Sequence, residues 1–243
     1  PPKRTGAALK LSSSLPCSDS MKILTTSSMM NSDTHRLKID KDNNNLLTFK
    51  IMTNIAIFVS GNGTNCENII RYFKNNQDIC IKLVISNKAD AYALTRASWY
   101  DVPCRVLSKQ EINDSDTVIP LLEEWDINFI VLAGFMLMVP DFIIDKFEHQ
   151  IVNIHPSLLP KFGGKGMYGH HVHEAVKAAG EKESGITIHF VSKVCDGGEI
   201  IAQFKTPVSP EDTAEDIEKK IHVLEQKYFP EVIKSVIMDN TRK

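Results

Sequence analysis

The chain has 243 residues, 42% hydrophobic and 24% charged, the proportions of an ordinary globular protein. A formal charge of −2, with no run of Lys or Arg, leaves no electrostatic footprint for nucleic acid. No stretch of about 18 apolar residues is present, so a membrane-spanning helix is not expected. The cysteines are Cys17, Cys66, Cys80, Cys104 and Cys195. They form no Cys-x-x-Cys pair and match no zinc spacing, so they read as reduced thiols and no metal is expected.

Residues 1–51 stand apart from the rest. Ser, Thr and Asn runs (Ser12–Ser14, Thr25–Ser28, Asn43–Asn45) dominate, with few apolar residues at helical or strand spacing. Such a segment does not bury enough apolar surface to offset its ordering entropy, and it is expected to be a disordered leader or targeting-like extension. Lys3, Arg4, Lys10 and Lys22 against the single acid Asp19 give its first thirty residues the character of an organellar transit peptide. An untranslated or artefactual leader ending before Met52 is the plainer reading and the one preferred.

One domain is expected over 52–243. Asn54–Ser60 is an apolar run that ends in a Gly-rich turn, and Cys66–Lys74 has helical spacing. Ile79–Ser86 and Cys104–Leu107 read as strands, Ala91–Tyr100 and Gln110–Trp125 as helices, and Asn128–Ala133 as a buried strand. Short apolar runs alternating with helices imply βαβ units and a parallel sheet covered on both faces. After Pro140 come a strand at Ile151–His155, a helix at His171–Ala179, and two runs, Gly185–Val191 and Glu199–Thr206, joined through Asp196-Gly197-Gly198. That turn makes the last two antiparallel candidates. A long helix over Thr213–Ile237 is expected to be capped by Ser209 or Asp212 and interrupted at Pro230. The fold class is therefore α/β, a Rossmann-like, mostly parallel twisted sheet with helices on both faces.

Two stretches carry chemistry. Ser60-Gly61-Asn62-Gly63-Thr64-Asn65 joins the first strand of this domain to its first helix, where a doubly wound sheet places an anion against unpaired N–H groups. It lacks the third glycine of a dinucleotide fingerprint and the Gly-Lys-Ser/Thr of a Walker loop, so a small phosphomonoester fits better than a nucleotide. A tight turn with no ligand is the plainer reading. The second stretch is Val152-Asn153-Ile154-His155-Pro156-Ser157-Leu158-Leu159-Pro160. Asn153 and His155 are two apart on a strand and share a face. Two polar side chains on an apolar strand need partners, and they lie at the strand end where open α/β sheets bind ligands.

These stretches, with the Asp196-Gly197-Gly198 turn, resemble the folate-dependent formyltransferase family over about Asn54 to Ile237. The Ser60–Asn65 loop and the chain length resemble the branch with a ribose-phosphate acceptor. The resemblance implies the formyltransferase fold. It also implies transfer of a formyl group from the co-substrate 10-formyltetrahydrofolate to the amine of 5-phosphoribosylglycinamide in de novo purine biosynthesis, by direct attack through a tetrahedral intermediate. It assigns catalysis to Asn153, His155 and Asp196. Asn153 and a protonated His155 donate to the developing oxyanion, and a nearby Asp196 favours the charged imidazole. Gly63, Thr64 and Asn65 hold the acceptor phosphate and Glu225 the ribose hydroxyls. Met136, Leu137, Met138 and Val139 line the folate pocket, in a segment one residue shorter than in several relatives and with Leu137 where they carry Arg.

Other residues stay open. His222, one turn before Glu225, reaches toward the phosphate. His189 is either a partner of the site or a satisfied core histidine. Gly163–Gly169 is a mobile loop over the site or a long connection. His171 and His173 are two apart, which does not place them on one helix face, so the cluster with His170 is not expected to bind zinc. The competing functions are formyltetrahydrofolate hydrolase, a non-catalytic phosphate-binding α/β module and a Rossmann-type dehydrogenase. Small-molecule partners and a cytoplasmic location are expected, or an organelle if the leader is a transit peptide.

Overall fold

The apolar runs become the strands of one seven-stranded sheet in the computed structural model, which describes residues 35–39, 46–50 and 52–240, the first two segments by backbone alone. Strands β1 (His35–Ile39) and β2 (Leu46–Lys50) pair antiparallel. Both fall within the segment read as a leader, where Leu37 and Ile39 alternate with Arg36 and Lys38 at the strand period of two; the remainder of that leader lies outside the described residues.

The main sheet contains β3 (Thr53–Val59), β4 (Ile79–Ser86), β5 (Cys104–Val106), β6 (Phe129–Leu132), β7 (Ile151–His155), β8 (Glu183–Phe190) and β9 (Ile200–Pro207). Its order is β5-β4-β3-β6-β7-β8-β9. The first five run parallel, while β7–β8 and β8–β9 are antiparallel. The helices are α1 (Thr64–Phe73), α2 (Tyr92–Ser98), α3 (Lys109–Ile112), α4 (Ser115–Glu124), α5 (Asp141–Lys146), α6 (His170–Ala178) and α7 (Ala214–Asn240). Strand alternation divides the core in two. Ile55, Ile57 and Val59 of β3 face α1 and α7, whereas Ala56 and Phe58 face the side packed by α4 and α5.

This order puts a topological switch at β3, whose neighbours β4 and β6 lead the chain in opposite directions. The chain leaves β3 toward α1 and β6 toward α5, which pack on opposite faces of the sheet, the carboxyl-edge position where open α/β sheets bind ligands. The register continues it: Phe58 pairs with Leu132, and Leu132 pairs with Asn153. The Ser60–Asn65 loop, the Met136–Val139 loop and the Asn153 strand therefore end side by side.

Three local expectations are corrected. The helix read over Gln110–Trp125 is two, because Ser108 closes a capping box with Glu111 on α3 and Asp114 then caps α4. A further helix, α5, follows Pro140. The cap of α7 is Thr213, whose hydroxyl accepts the Asp216 N–H at 3.2 Å while the Asp216 carboxylate accepts the Thr213 N–H at 3.2 Å. Asp212 instead accepts the Ser209 N–H at 2.8 Å in the turn before it. Pro230 removes one helical hydrogen bond, yet α7 runs through it because Phe229, Ile233, Val236 and Ile237 are anchored in the core. Among the described residues no helix is long and apolar enough to cross a membrane.

Candidate active site

One buried serine ties this edge of the sheet together. Ser60 donates its N–H to the Gly134 carbonyl at 3.1 Å and its hydroxyl to Asn87 Oδ1 at 2.5 Å, and its Oγ accepts the Met136 N–H at 2.8 Å. The connections after β3, β4 and β6 are thus fixed to one another. Beyond Ser60 the chain turns at Gly63, whose φ of 77° lies in the left-handed region. An added Cβ there would sit 2.4 Å from the Ala93 methyl, so this position requires glycine. Helix α1 starts at Thr64 with no side-chain cap, which leaves its N-terminal N–H groups and positive dipole end for an anion.

Asn65, on the first turn of α1, lies beside Glu225 of α7. Glu225 is 7% exposed, and burial pushes its carboxyl up, against the downward pull of His222 and of the Asn65 side chain. The structure therefore brings together the residues expected to hold the acceptor phosphate and its ribose. His222 lies 4.0 Å from Glu225 and 3.9 Å from Glu218.

The second cluster lies where the sheet turns antiparallel. Asn153 pairs across the ladder with His189, and His155 with Thr187. The His189 Nδ1–H donates to the Phe190 carbonyl at 2.8 Å, so its Nε2 accepts from Asn153 Nδ2 at 3.1 Å. That tautomer follows from the partners. Burial also pulls the His189 imidazole down, outweighing the Asp196 carboxylate nearby, so its neutral form is favoured. His155 is 4% exposed, and its Nε2–H donates to the Phe162 carbonyl at 2.7 Å. Its Nδ1 faces Asp196 Oδ2 at 3.6 Å, while Asp196 Oδ1 faces His189 Nε2 at 3.8 Å. The Asp196 carboxylate thus sits between the two imidazoles. It is held there by the Gly164 N–H at 2.8 Å and by a turn with φ 52° at Asp196. Gly198 lets this turn close, because a Cβ on it would lie 1.8 Å from the Phe190 carbonyl oxygen.

Asn153, His155 and Asp196 are thus one cluster, and His189 joins it as the partner that orients Asn153. The β7–β8 register is the signal that places it. The segment expected to line the folate pocket divides: Met136 and Met138 are 50% and 54% exposed, Val139 is buried, and Leu137 packs against the core. His170 bonds Glu218 at 2.9 Å and His171 bonds Glu174 at 3.1 Å. His173 is buried against α7, and burial pulls it down to about 4. Among the described residues no group of three or more His, Cys, Asp or Glu is placed to hold a metal ion.

The arrangement offers an anion subsite built from backbone and a carboxylate–imidazole–amide cluster beside it, the equipment of an acyl-transfer enzyme without a nucleophilic side chain. Residues 53–233 match the formyl transferase family, and the chain belongs to that family and is an enzyme of it. Phosphoribosylglycinamide formyltransferase of Haemophilus influenzae is 39% identical over 189 residues, spanning 75% of this chain and 86% of that protein. The chloroplastic phosphoribosylglycinamide formyltransferase of Arabidopsis thaliana is 36% identical over 190 residues, 75% of this chain and 64% of that one. The crystal structure of phosphoribosylglycinamide formyltransferase from Anaplasma phagocytophilum superposes with a TM-score of 0.70 at 35% identity, covering 76% of this chain and 87% of that chain.

Proposed function

We propose that this enzyme transfers the formyl group of 10-formyltetrahydrofolate to the amine of 5-phosphoribosylglycinamide, in purine biosynthesis, in a cytoplasm-like compartment. The observation that carries this is the Asp196 carboxylate seated between His155 and His189, beside a glycine turn that opens helix α1. The acceptor phosphate lies on Gly63, Thr64 and Asn65, the ribose hydroxyls on Glu225. The formyl donor enters past Met136 and Met138, with Leu137 and Val139 holding the loop to the core.

The amine attacks the formyl carbon directly. A C–N bond to the acceptor forms, the C–N bond to the folate breaks, and one proton passes from the amine to the departing folate nitrogen. Negative charge gathers on the formyl oxygen between these events. Asn153 carries two amide hydrogens; His189 takes one, and the other is free for that oxygen. His155, held at Nε2 by the Phe162 carbonyl, presents Nδ1 toward the same space, where its protonated form donates a charge-assisted bond. Asp196, 3.6 Å from that Nδ1, anchors the water that carries the proton. The step requires neither a side-chain nucleophile nor a metal.

The test is a spectrophotometric assay with a 10-formylfolate donor, with and without the ribonucleotide. Folate product that depends on the ribonucleotide is the expected result. Product at an equal rate without it replaces this reading with the hydrolase, and no product in either arm refutes both.

A further inference from the structure

We infer that Arg96 is a positioning residue for the acceptor phosphate, acting by fixing which way the peptides of the Ser60–Asn65 loop face. Arg96 lies on α2, behind that loop. Its Nε donates to the Asn62 carbonyl at 2.9 Å and its Nη2 to Asn62 Oδ1 at 3.3 Å. One residue earlier, the Ala93 N–H of the same helix donates to the Gly61 carbonyl at 3.1 Å. Two successive loop carbonyls are therefore turned onto α2. In a planar trans peptide the carbonyl and the following N–H point in opposite directions. The Asn62 and Gly63 N–H groups are consequently aimed away from α2. The Gly63 carbonyl accepts the Glu67 N–H at 2.9 Å, the first bond of α1, and the same rule points the Thr64 N–H out of the helix N-terminus. Three consecutive N–H groups converge in this way on one space, a nest for an oxyanion such as a phosphomonoester.

Arg96 is itself held tightly for a residue near the surface. Its Nη1 is ion-paired with Glu67, and the Tyr100 hydroxyl donates to the other Glu67 oxygen at 3.0 Å. The guanidinium lies 5.0 Å from the Tyr92 ring centroid and 5.9 Å from that of Trp99. A planar fork is needed to serve a carbonyl, a carboxylate and two ring faces together, and a lysine ammonium lacks that shape. The cation acts behind the loop, so it adds order to the nest rather than a direct contact to the ligand.

The inference rests on the reading of the acceptor given above, and the experiment separates the two. Arg96→Met keeps the apolar stem and removes the fork. It is expected to raise the acceptor KM about tenfold or more, the weight of a hydrogen bond to a charged donor, while the KM for the formyl donor changes by less than about twofold. Arg96→Lys is expected to stay within about threefold of the Met variant, because charge without the fork does not hold the Asn62 carbonyl. Titration of the acceptor-free enzyme with inorganic phosphate, followed by amide NMR, should shift the Gly63 and Thr64 N–H signals in the wild type and much less in Arg96→Met. An unchanged acceptor KM in Arg96→Met, or full recovery in Arg96→Lys, overturns the inference and leaves the function standing. A wild-type enzyme that binds phosphate at these amides yet forms no ribonucleotide-dependent product overturns the acceptor reading and leaves the nest standing. If Arg96→Met does not fold, Glu67→Gln, which loosens the same fork, carries the test with a smaller rise in acceptor KM, and no rise refutes the inference.

Discussion

The two ends of the active-site edge solve different problems with different parts of the chain. Around β3 the site is made of backbone: a glycine at φ 77°, two carbonyls turned onto α2, and the start of α1. Around β7 and β8 it is made of side chains: an amide, two imidazoles and a carboxylate within 3.1 to 3.8 Å of one another. Backbone donors suit a ligand whose charge stays constant, since they are preset and do not titrate. Side chains suit the end where charge appears and protons move. The comparison teaches that damage should differ in kind: added bulk or lost loop order harms binding at one end, and lost functional groups harm turnover at the other.

The largest effect is expected at the side-chain end. His155→Ala and Asp196→Ala should each lower kcat by roughly 10²- to 10⁴-fold, as loss of general acid–base help does, in steady-state assays at saturating substrates. Near-normal turnover in both would break the comparison. His189 sharpens it, because it acts through Asn153 and Asp196 rather than on the substrate. His189→Leu should lower kcat about tenfold or more by freeing the Asn153 amide, and His189→Gln, which keeps an acceptor there, should recover much of the loss. Equal damage from both variants would mean that His189 is merely a core residue.

At the backbone end, Gly63→Ala should cost about 1–3 kcal/mol of stability through the left-handed φ, with more from the contact with Ala93. It should raise the acceptor KM strongly, and a thermal melt beside the kinetics separates the two. Asn65→Ala should raise the acceptor KM more than it lowers kcat; the reverse pattern would move Asn65 into the chemistry.

The smallest effect lies outside both ends. The unfolded His173 imidazole takes a proton below about 6.5, but the folded one resists until about 4. Between those values the unfolded state binds more protons, so this contribution to stability is intact above 6.5 and lost as the pH falls toward 4. His189, also pulled down by burial, adds in the same direction. Urea midpoints measured across that window should fall less steeply for His173→Gln than for the wild type, and parallel curves would refute this.

Much of the edge was legible one segment at a time. β4 lies where its apolar run predicts it, at Ile79–Ser86, and β7 at Ile151–His155. The Ser60–Asn65 loop opens a helix, and Asn153 and His155 share a cluster as the period of two requires. The misreadings are equally physical. The pattern over Gln110–Trp125 is helical on both sides of a break that only the cap at Asp114 reveals. Pro230 argued locally for an interruption of the long helix, and burial of its neighbours overrode it. Four apolar residues at Met136–Val139 read as one wall, but only the packed core divides those that face out from those that face in.

The sequence by itself determined the seven strands of the main sheet, the glycine turn and the same-face pair, because these follow from periodicity, chirality and turn chemistry within about ten residues. Only the tertiary structure decided the partners. Asn153 meets His189 across 36 residues, Asn62 meets Arg96 across 34, and the Gly164 N–H meets Asp196 across 32. Each of these contacts depends on strand register and helix packing, which the whole core sets at once and no local pattern encodes.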